Sequence, residues 1–337
     1  MSAPSLIAPE IDKKEVRRVR KADRAVLNLK AGDVIVVRSF DEIAETLDED
    51  GTLDSLPFMP EMLEYCGKRF KVLNRVVQST IDGAFLGGHT ESYVREFRNN
   101  DVVTLQNVRC SGAQHDTCQR ACAIFWKEAW LRKVDEVDEV SEPDSSSISI
   151  PQAISFPLKT RIGLGKYFCQ SSEFLKATVH LPADKRIKKC FSAIAAGNIT
   201  GWGMLKRLIV WAWWRSHYKF IGESVRGAED KTPTEVLDLK PGDLVQIKSL
   251  PEIKATLNKH GRNRGLHFSA DQRPFCGRQF RVRNRADNFI AEGTGEMKHF
   301  KNTVMLEEVL CDSACFAFGG CYRSDLLYWR EIWLRKI

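Results

Sequence analysis

The sequence predicts an α+β, β-rich fold: two duplicated small SH3-like β-barrel domains joined by a basic helical connector. Three observations predict it. The chain of 337 residues spells nearly the same ten residues twice, FWKEAWLRKV at 125–134 and YWREIWLRKI at 328–337. Segments 27–75 and 237–285 align without a gap and agree at 19 of 49 positions, far above chance. The stretch 151–235 carries 14 Lys and Arg against 6 Asp and Glu, a net of +8, while the whole chain carries +7. The basic excess therefore sits between the repeats. At roughly 100–200 residues per domain, the length has room for two or three cores.

Residues 1–26 read as a basic, flexible N-terminus without the apolar core of a signal peptide. No apolar run approaches the roughly 18 residues of a membrane span. The expected location is cytoplasmic, with a peripheral membrane contact as a variant. The first barrel repeat is expected over 27–134. It opens on a Lys-x-Gly-Asp turn and the β-branched strand DVIVVR (33–38). FDEIAETL (40–47) has helical spacing with Gly51 as its stop. Phe70–Val77 and Val102–Val108 alternate as strands. Short strands around one small core suggest a barrel. The closing Trp126 and Trp130 are four apart and suit a helix face, but 131–134 reads equally well as a last strand.

An acidic, then Ser-rich linker follows over 135–152 and reads as a tether. The basic helical connector spans 153–235, with one long helix over 201–220. Within it, Leu208–Trp214 (LIVWAWW) is apolar all round with basic flanks. The leading expectation is a buried helix between the barrels; contact with a membrane surface or a partner is the alternative. The second barrel repeat is expected over 236–337.

Ten cysteines in a chain expected in a reducing compartment point to metal or reactive thiols before disulfides. Copy one holds Cys66, Cys110, Cys118 and Cys122; copy two holds Cys276, Cys311, Cys315 and Cys321. Cys66 aligns with Cys276, Cys110 with Cys311, and Cys118 with Cys321, the last pair each eight residues before a shared tryptophan. Cys122 faces Asp325, and Cys315 is extra. Structural zinc takes four ligands, commonly thiolates, so each set is a candidate zinc site, with an iron–sulfur cluster as the alternative cofactor. Cysteines buried without metal would leave the same shared positions. Cys169 and Cys190 have no repeat partner and read as ordinary buried cysteines. His115, between Cys110 and Cys118, has no counterpart and is a weaker ligand candidate. DEDGTLD (48–54) resembles half a calcium loop, but its counterpart NKHGRNR has no acids, so a solvated turn is expected.

The motifs [YF]CG[KR]xF[KR]V and [FY]W[KR]E[AI]WLRK[VI], with YFCQSSEFLKAT (167–178) between them, resemble a bacterial family of tandem-repeat, cysteine-containing proteins. The resemblance covers almost all of the chain after residue 27. It implies the duplicated architecture and an accessory role in a biosynthetic pathway, and it names no reaction. Asp325 departs from the pattern and leaves the second ligand set open.

No GxxxxGK[ST], HExxH or GxSxG signature occurs. The favoured reading is a zinc-stabilised accessory or scaffold protein with a protein partner. The first alternative is a metalloenzyme with an open three-thiolate metal site in copy two. The second is nucleic-acid binding, which the lack of aromatic residues between basic ones on the strands disfavours.

Overall fold

The structure, a computed structural model, describes residues 27–81, 94–134, 158–221, 225–315 and 317–337. The basic N-terminus 1–26 and the acidic linker 135–152 lie outside the described residues. The fold is mixed α+β with strand outweighing helix, 29% against 23%.

The first repeat opens with Lys30–Asp33. The Lys30 N–H donates to Asp33 Oδ2 at 2.8 Å, and Gly32 takes φ +92°, a conformation that glycine adopts without steric cost. The same turn recurs at Lys240–Asp243, with the same distance of 2.8 Å and Gly242 at φ +91°. Strand β1 (Val34–Val37) follows, then the short helix α1 (Phe40–Ala44). Ser39 caps that helix in a reciprocal box with Glu42, as Ser249 does with Glu252 in copy two. Strands β2 (Arg69–Arg75), β3 (Ser79–Thr80), β4 (Val94–Phe97), β5 (Val102–Leu105), β6 (Trp126–Lys127) and β7 (Leu131–Lys133) complete the repeat. The first sheet is ordered β6-β5-β2-β1-β7 and is antiparallel throughout.

The second repeat supplies β9 (Leu244–Ile247), β10 (Gln279–Arg285), β11 (Asn288–Ile290), β12 (Met297–His299), β13 (Thr303–Leu310), β14 (Leu326–Arg330) and β15 (Leu334–Lys336). Its main sheet runs β14-β13-β10-β9-β15, the same order. Registers match as well: Ile35 faces Phe70 as Val245 faces Phe280, and Ile35 faces Lys133 as Val245 faces Lys336.

The closing motif is strand, 3-10 turn (Glu128–Trp130), strand, which settles the boundary left open by its sequence. Trp126, Trp130, Trp329 and Trp333 are fully buried. Trp130 Nε1 donates to Thr46 Oγ1 and Trp333 Nε1 to Thr256 Oγ1, each at 3.0 Å, so these two indoles satisfy their polar atoms inside the core, whereas Nε1 of Trp126 and of Trp329 is buried without an acceptor among the described residues. The motif's glutamate works inward. Glu128 accepts the backbone N–H of Leu27, Asn28 and Leu29 and an Arg75 Nη1 donor at 2.6 Å. Glu331 does the same for Leu237, Leu239 and Arg285.

The connector differs from its expected helical form in its first part. Residues 161–163 and 166–167 pair as a hairpin, and β8 (Thr178–His180) adds to β4 of the first repeat. The pairing exists because Arg95 of β4 anchors Thr178 through its side chain and carbonyl at 2.7 and 2.8 Å. Between them runs the short helix α2 (Phe174–Ala177). Helices follow over α3 (Arg186–Ala195) and α4 (Gly201–Ile221). Of DEDGTLD, residues 48–50 form the expected solvated turn, while Thr52–Leu53 are buried and pair with Leu56–Pro57; Asp48 accepts from the Asp50 and Thr52 amides, and neutral Asn258 holds the same place in copy two. Among the described residues, no helix is long and apolar enough to cross a membrane.

Candidate thiol sites at the junction of the repeats

The loops after β5 and β13 carry the thiols, and each loop reaches into the other repeat. The Gln119 N–H donates to the Asn288 carbonyl at 2.7 Å, and the Tyr322 N–H donates to the Gln78 carbonyl at 3.3 Å. The Ile290 N–H meets Cys118 Sγ at 3.4 Å, and Cys321 Sγ meets Ser79 Oγ at 3.8 Å. Gln119 corresponds to Tyr322 and Gln78 to Asn288, so the exchange is reciprocal, as in an isologous dimer interface. At its centre lie four charges. Arg120 reaches Glu292 at 3.1 Å and Asp325 at 3.7 Å; Arg323 reaches Glu292 at 2.5 Å and Asp325 at 2.8 Å. Burial works against the Arg323 charge, but Asp325 and Glu292 outweigh it and hold the guanidinium protonated.

In copy one, Cys110, Cys118, Cys122 and Cys169 line one cavity of about 20 Å³. That is room for one ion- or water-sized guest. Cys110 and Cys122 are held side by side, the Cys110 N–H donating to the Cys122 carbonyl at 2.9 Å. Cys169 arrives from the connector because Gln170 is locked into the first repeat. Its side chain bonds both the carbonyl and the N–H of Phe125, each at 2.8 Å, and the Pro57 carbonyl at 3.0 Å. Cys169, read from the sequence as an ordinary buried cysteine without a repeat partner, is buried and also lines this cavity, a placement that only its position inside the connector motif YFCQSSEFLKAT could have signalled. Cys66 does not line this cavity. The register Val72↔Leu105 carries it toward the end of the hairpin that leads to Cys110. Cys190 packs elsewhere, against Val77, Ala193, Met204 and Tyr322.

Burial pushes the Cys110 and Cys122 thiols far up, with neighbouring Cys122 and Glu61 adding to the effect on Cys110. Burial alone takes Cys66 up to about 11, and Cys169, buried beside Cys118, also rises to about 11. These sulfurs favour the neutral thiol until a cation is placed among them.

His115 is not available as a ligand. Its Nδ1 meets Glu61 Oε1 at 2.6 Å and its Nε2 meets the Phe168 carbonyl at 3.0 Å. Both partners are acceptors, so both ring nitrogens carry hydrogen. Burial opposes the charge, but the Glu61 carboxylate and the Phe168 carbonyl together raise the His115 pKa.

In copy two, Asp271 stands where Glu61 stands in copy one. Cys311 Sγ lies 3.7 Å from its Oδ2 and 3.3 Å from Ser313 Oγ, and the Cys315 N–H reaches Asp271 Oδ1 at 3.4 Å. Cys311 and Cys321 border a cavity of about 60 Å³ that also meets Arg323 and Asp325. Asp325 takes the backbone place of Cys122, its carbonyl accepting the Cys311 N–H at 2.8 Å. Burial first, then the charge of Asp312, pushes Asp271 up to about 7. Burial and Asp271 push Cys311 and Cys315 far up, and burial raises Cys276. Neither Cys276 nor Cys315 lines that cavity.

All ten cysteines are free thiols. Among the described residues, no three His, Cys, Asp or Glu side chains stand at metal-holding geometry. The donor chemistry of copy one, four thiols around one cavity, nonetheless suits a thiophilic metal. No family model, no curated protein and no solved structure matches the chain.

Proposed function

We propose that the chain is a non-catalytic accessory protein of a bacterial biosynthetic pathway, built from two SH3-like barrels and offering its surface to a protein partner. The barrel reading is supported by the closing motif. The two edge strands of each sheet are joined by only three residues, Glu128–Trp130 and Glu331–Trp333, which draws the sheet edges together. A zinc–thiolate staple in the first repeat is supported by the four thiols around one cavity, with Cys169 in the place expected for Cys66. The second repeat would hold its ion through Cys311, Cys315 and Cys321, with Asp271 beside them and Cys276 at the strand corner. Ten free thiols support a cytoplasmic setting. The non-catalytic reading is supported by the raised thiols and by His115, which has no nitrogen left to serve as their base.

Chelation tests this. A strong zinc chelator lowers the melting temperature of the intact protein and of Cys190→Ser alike, and it has no such effect on Cys169→Ser. An unchanged melting temperature in the intact protein overturns the staple. An iron–sulfur cluster instead would show as visible absorbance bleached by oxidation.

One observation favours an enzyme as the second reading. Asp271, pushed to about 7 beside Cys311 and Cys315, is a carboxyl poised for proton transfer near neutral pH. Asp271→Asn that folds normally but fails to complement a deletion supports this reading; normal complementation removes it.

A further inference from the structure

α3 and α4 both turn large apolar side chains to solvent. Trp202, Leu205, Ile209 and Trp213 follow one another at three- and four-residue spacing, hence along one face of α4, and are 64, 46, 58 and 53% exposed. Ile187 and Phe191, one turn apart on α3, are 59 and 68% exposed. Among the described residues, seven of the twelve exposed large hydrophobic side chains lie on these two helices. That concentration marks a docking face rather than scattered surface residues.

The opposite side of α4 fixes this orientation. Met204 is buried against Cys190, Val77 and Tyr322. Trp211 meets Phe318 edge-on at 4.9 Å, Arg207 lies over Tyr322 at 5.3 Å and pairs with Asp312 at 3.5 Å, and Arg273 covers Trp214 at 4.8 Å. The segment Leu208–Trp214 singled out by its sequence therefore divides. Leu208, Trp211 and Trp214 are half-buried, and Ile209 and Trp213 face out.

Charge identifies what covers the face. From Lys185 to Gly222 the chain has eight Lys and Arg and no Asp or Glu. Lys189 pairs with Glu96, Arg207 pairs with Asp312 and Arg186 is buried. Lys185, just before α3, and Lys188, Lys206 and Arg215 on the helices are exposed, with Lys206 Nζ over the Trp202 ring and Arg215 over the Trp211 ring, each at 5.5 Å. Asp184, just before α3, and Asp312 beside Arg207 are the acidic neighbours, and exposed tryptophan and aliphatic side chains among a majority of cations match the interface of an anionic bilayer. There the rings sit at headgroup level and the cations meet lipid phosphates.

We propose that the α3–α4 face binds anionic lipid surfaces, lying in the headgroup plane without crossing the bilayer. The proposal is independent of any metal at the thiols. It is tested on the full chain by co-sedimentation with phosphatidylcholine vesicles and with equimolar phosphatidylglycerol–phosphatidylcholine vesicles. The protein is expected to bind only the anionic vesicles, with a blue shift of tryptophan fluorescence and release by salt. Trp202→Ser with Trp213→Ser, and separately Lys188→Glu with Lys206→Glu, are expected to lower binding roughly tenfold or more. All four side chains are exposed, so both variants keep the wild-type melting temperature. Absence of binding to anionic vesicles overturns the proposal, as does undiminished binding by both variants. A dimer that the tryptophan pair dissolves, or an acidic protein held without vesicle binding, also overturns it.

Discussion

Glu61 and His115 form a buried pair, and its pH dependence follows from the two shifts. The folded pKa of His115 is raised, so its stabilisation is complete below the unfolded value of about 6.5 and is lost as pH rises through the folded value. Burial opposes ionisation of Glu61, but His115 and backbone donors outweigh it and lower its pKa. Its contribution is complete above about 4.3 and is lost as pH falls through the folded value. Urea unfolding across pH should therefore show wild type falling above about pH 6.5 relative to His115→Gln, whose profile stays flat there. Parallel profiles would deny that His115 is charged. Glu128 offers a second residue-scale test. Truncating it leaves Arg75 and three backbone donors without their acceptor, so Glu128→Ala should cost about 3–5 kcal/mol in urea unfolding, and Glu331→Ala nearly as much. A loss under about 1 kcal/mol would show that the carboxylate is solvated.

The thiol-bearing loop is an element whose path depends on one glycine. Gly112 has φ +69°, and a Cβ there would lie 2.0 Å from the Cys118 carbonyl oxygen. Gly112→Ala should displace the loop and destabilise the protein by about 1–3 kcal/mol, with Cys110 and Cys118 reacting faster with a thiol reagent. Wild-type reactivity would show that the loop tolerates the methyl group. The strands and the Lys-x-Gly-Asp turns were legible in the sequence because their causes are local: β-branched runs and a glycine at positive φ. The strand Thr178–His180 was not, since its partner β4 lies about eighty residues away and Arg95 makes the match. Nor, for the same reason, was the setting of Cys169, which reaches the first thiol cavity through Gln170, a contact that spacing does not encode. The shared cysteines were legible as a pattern, and what the pattern missed was the side of the cavity that the connector closes.

At the scale of the whole molecule, the two repeats hold one another. Arg120, Arg323, Glu292 and Asp325 are drawn from both repeats, and the loops that carry the thiols exchange backbone hydrogen bonds across the junction. Residues 225–337 expressed alone would expose Arg323 and Glu292 without Arg120, and Cys321 without Ser79. The isolated half should aggregate or melt well below the full chain, and a half that melts with the full chain would contradict the mutual support. A metal among the thiols of the first repeat is to be read from the metal content of protein purified without added metal, beside its count of reactive thiols. About one equivalent or more of zinc, slow-reacting thiols, and loss of that equivalent in Cys169→Ser are expected. Metal-free protein whose ten cysteines all titrate freely would contradict it.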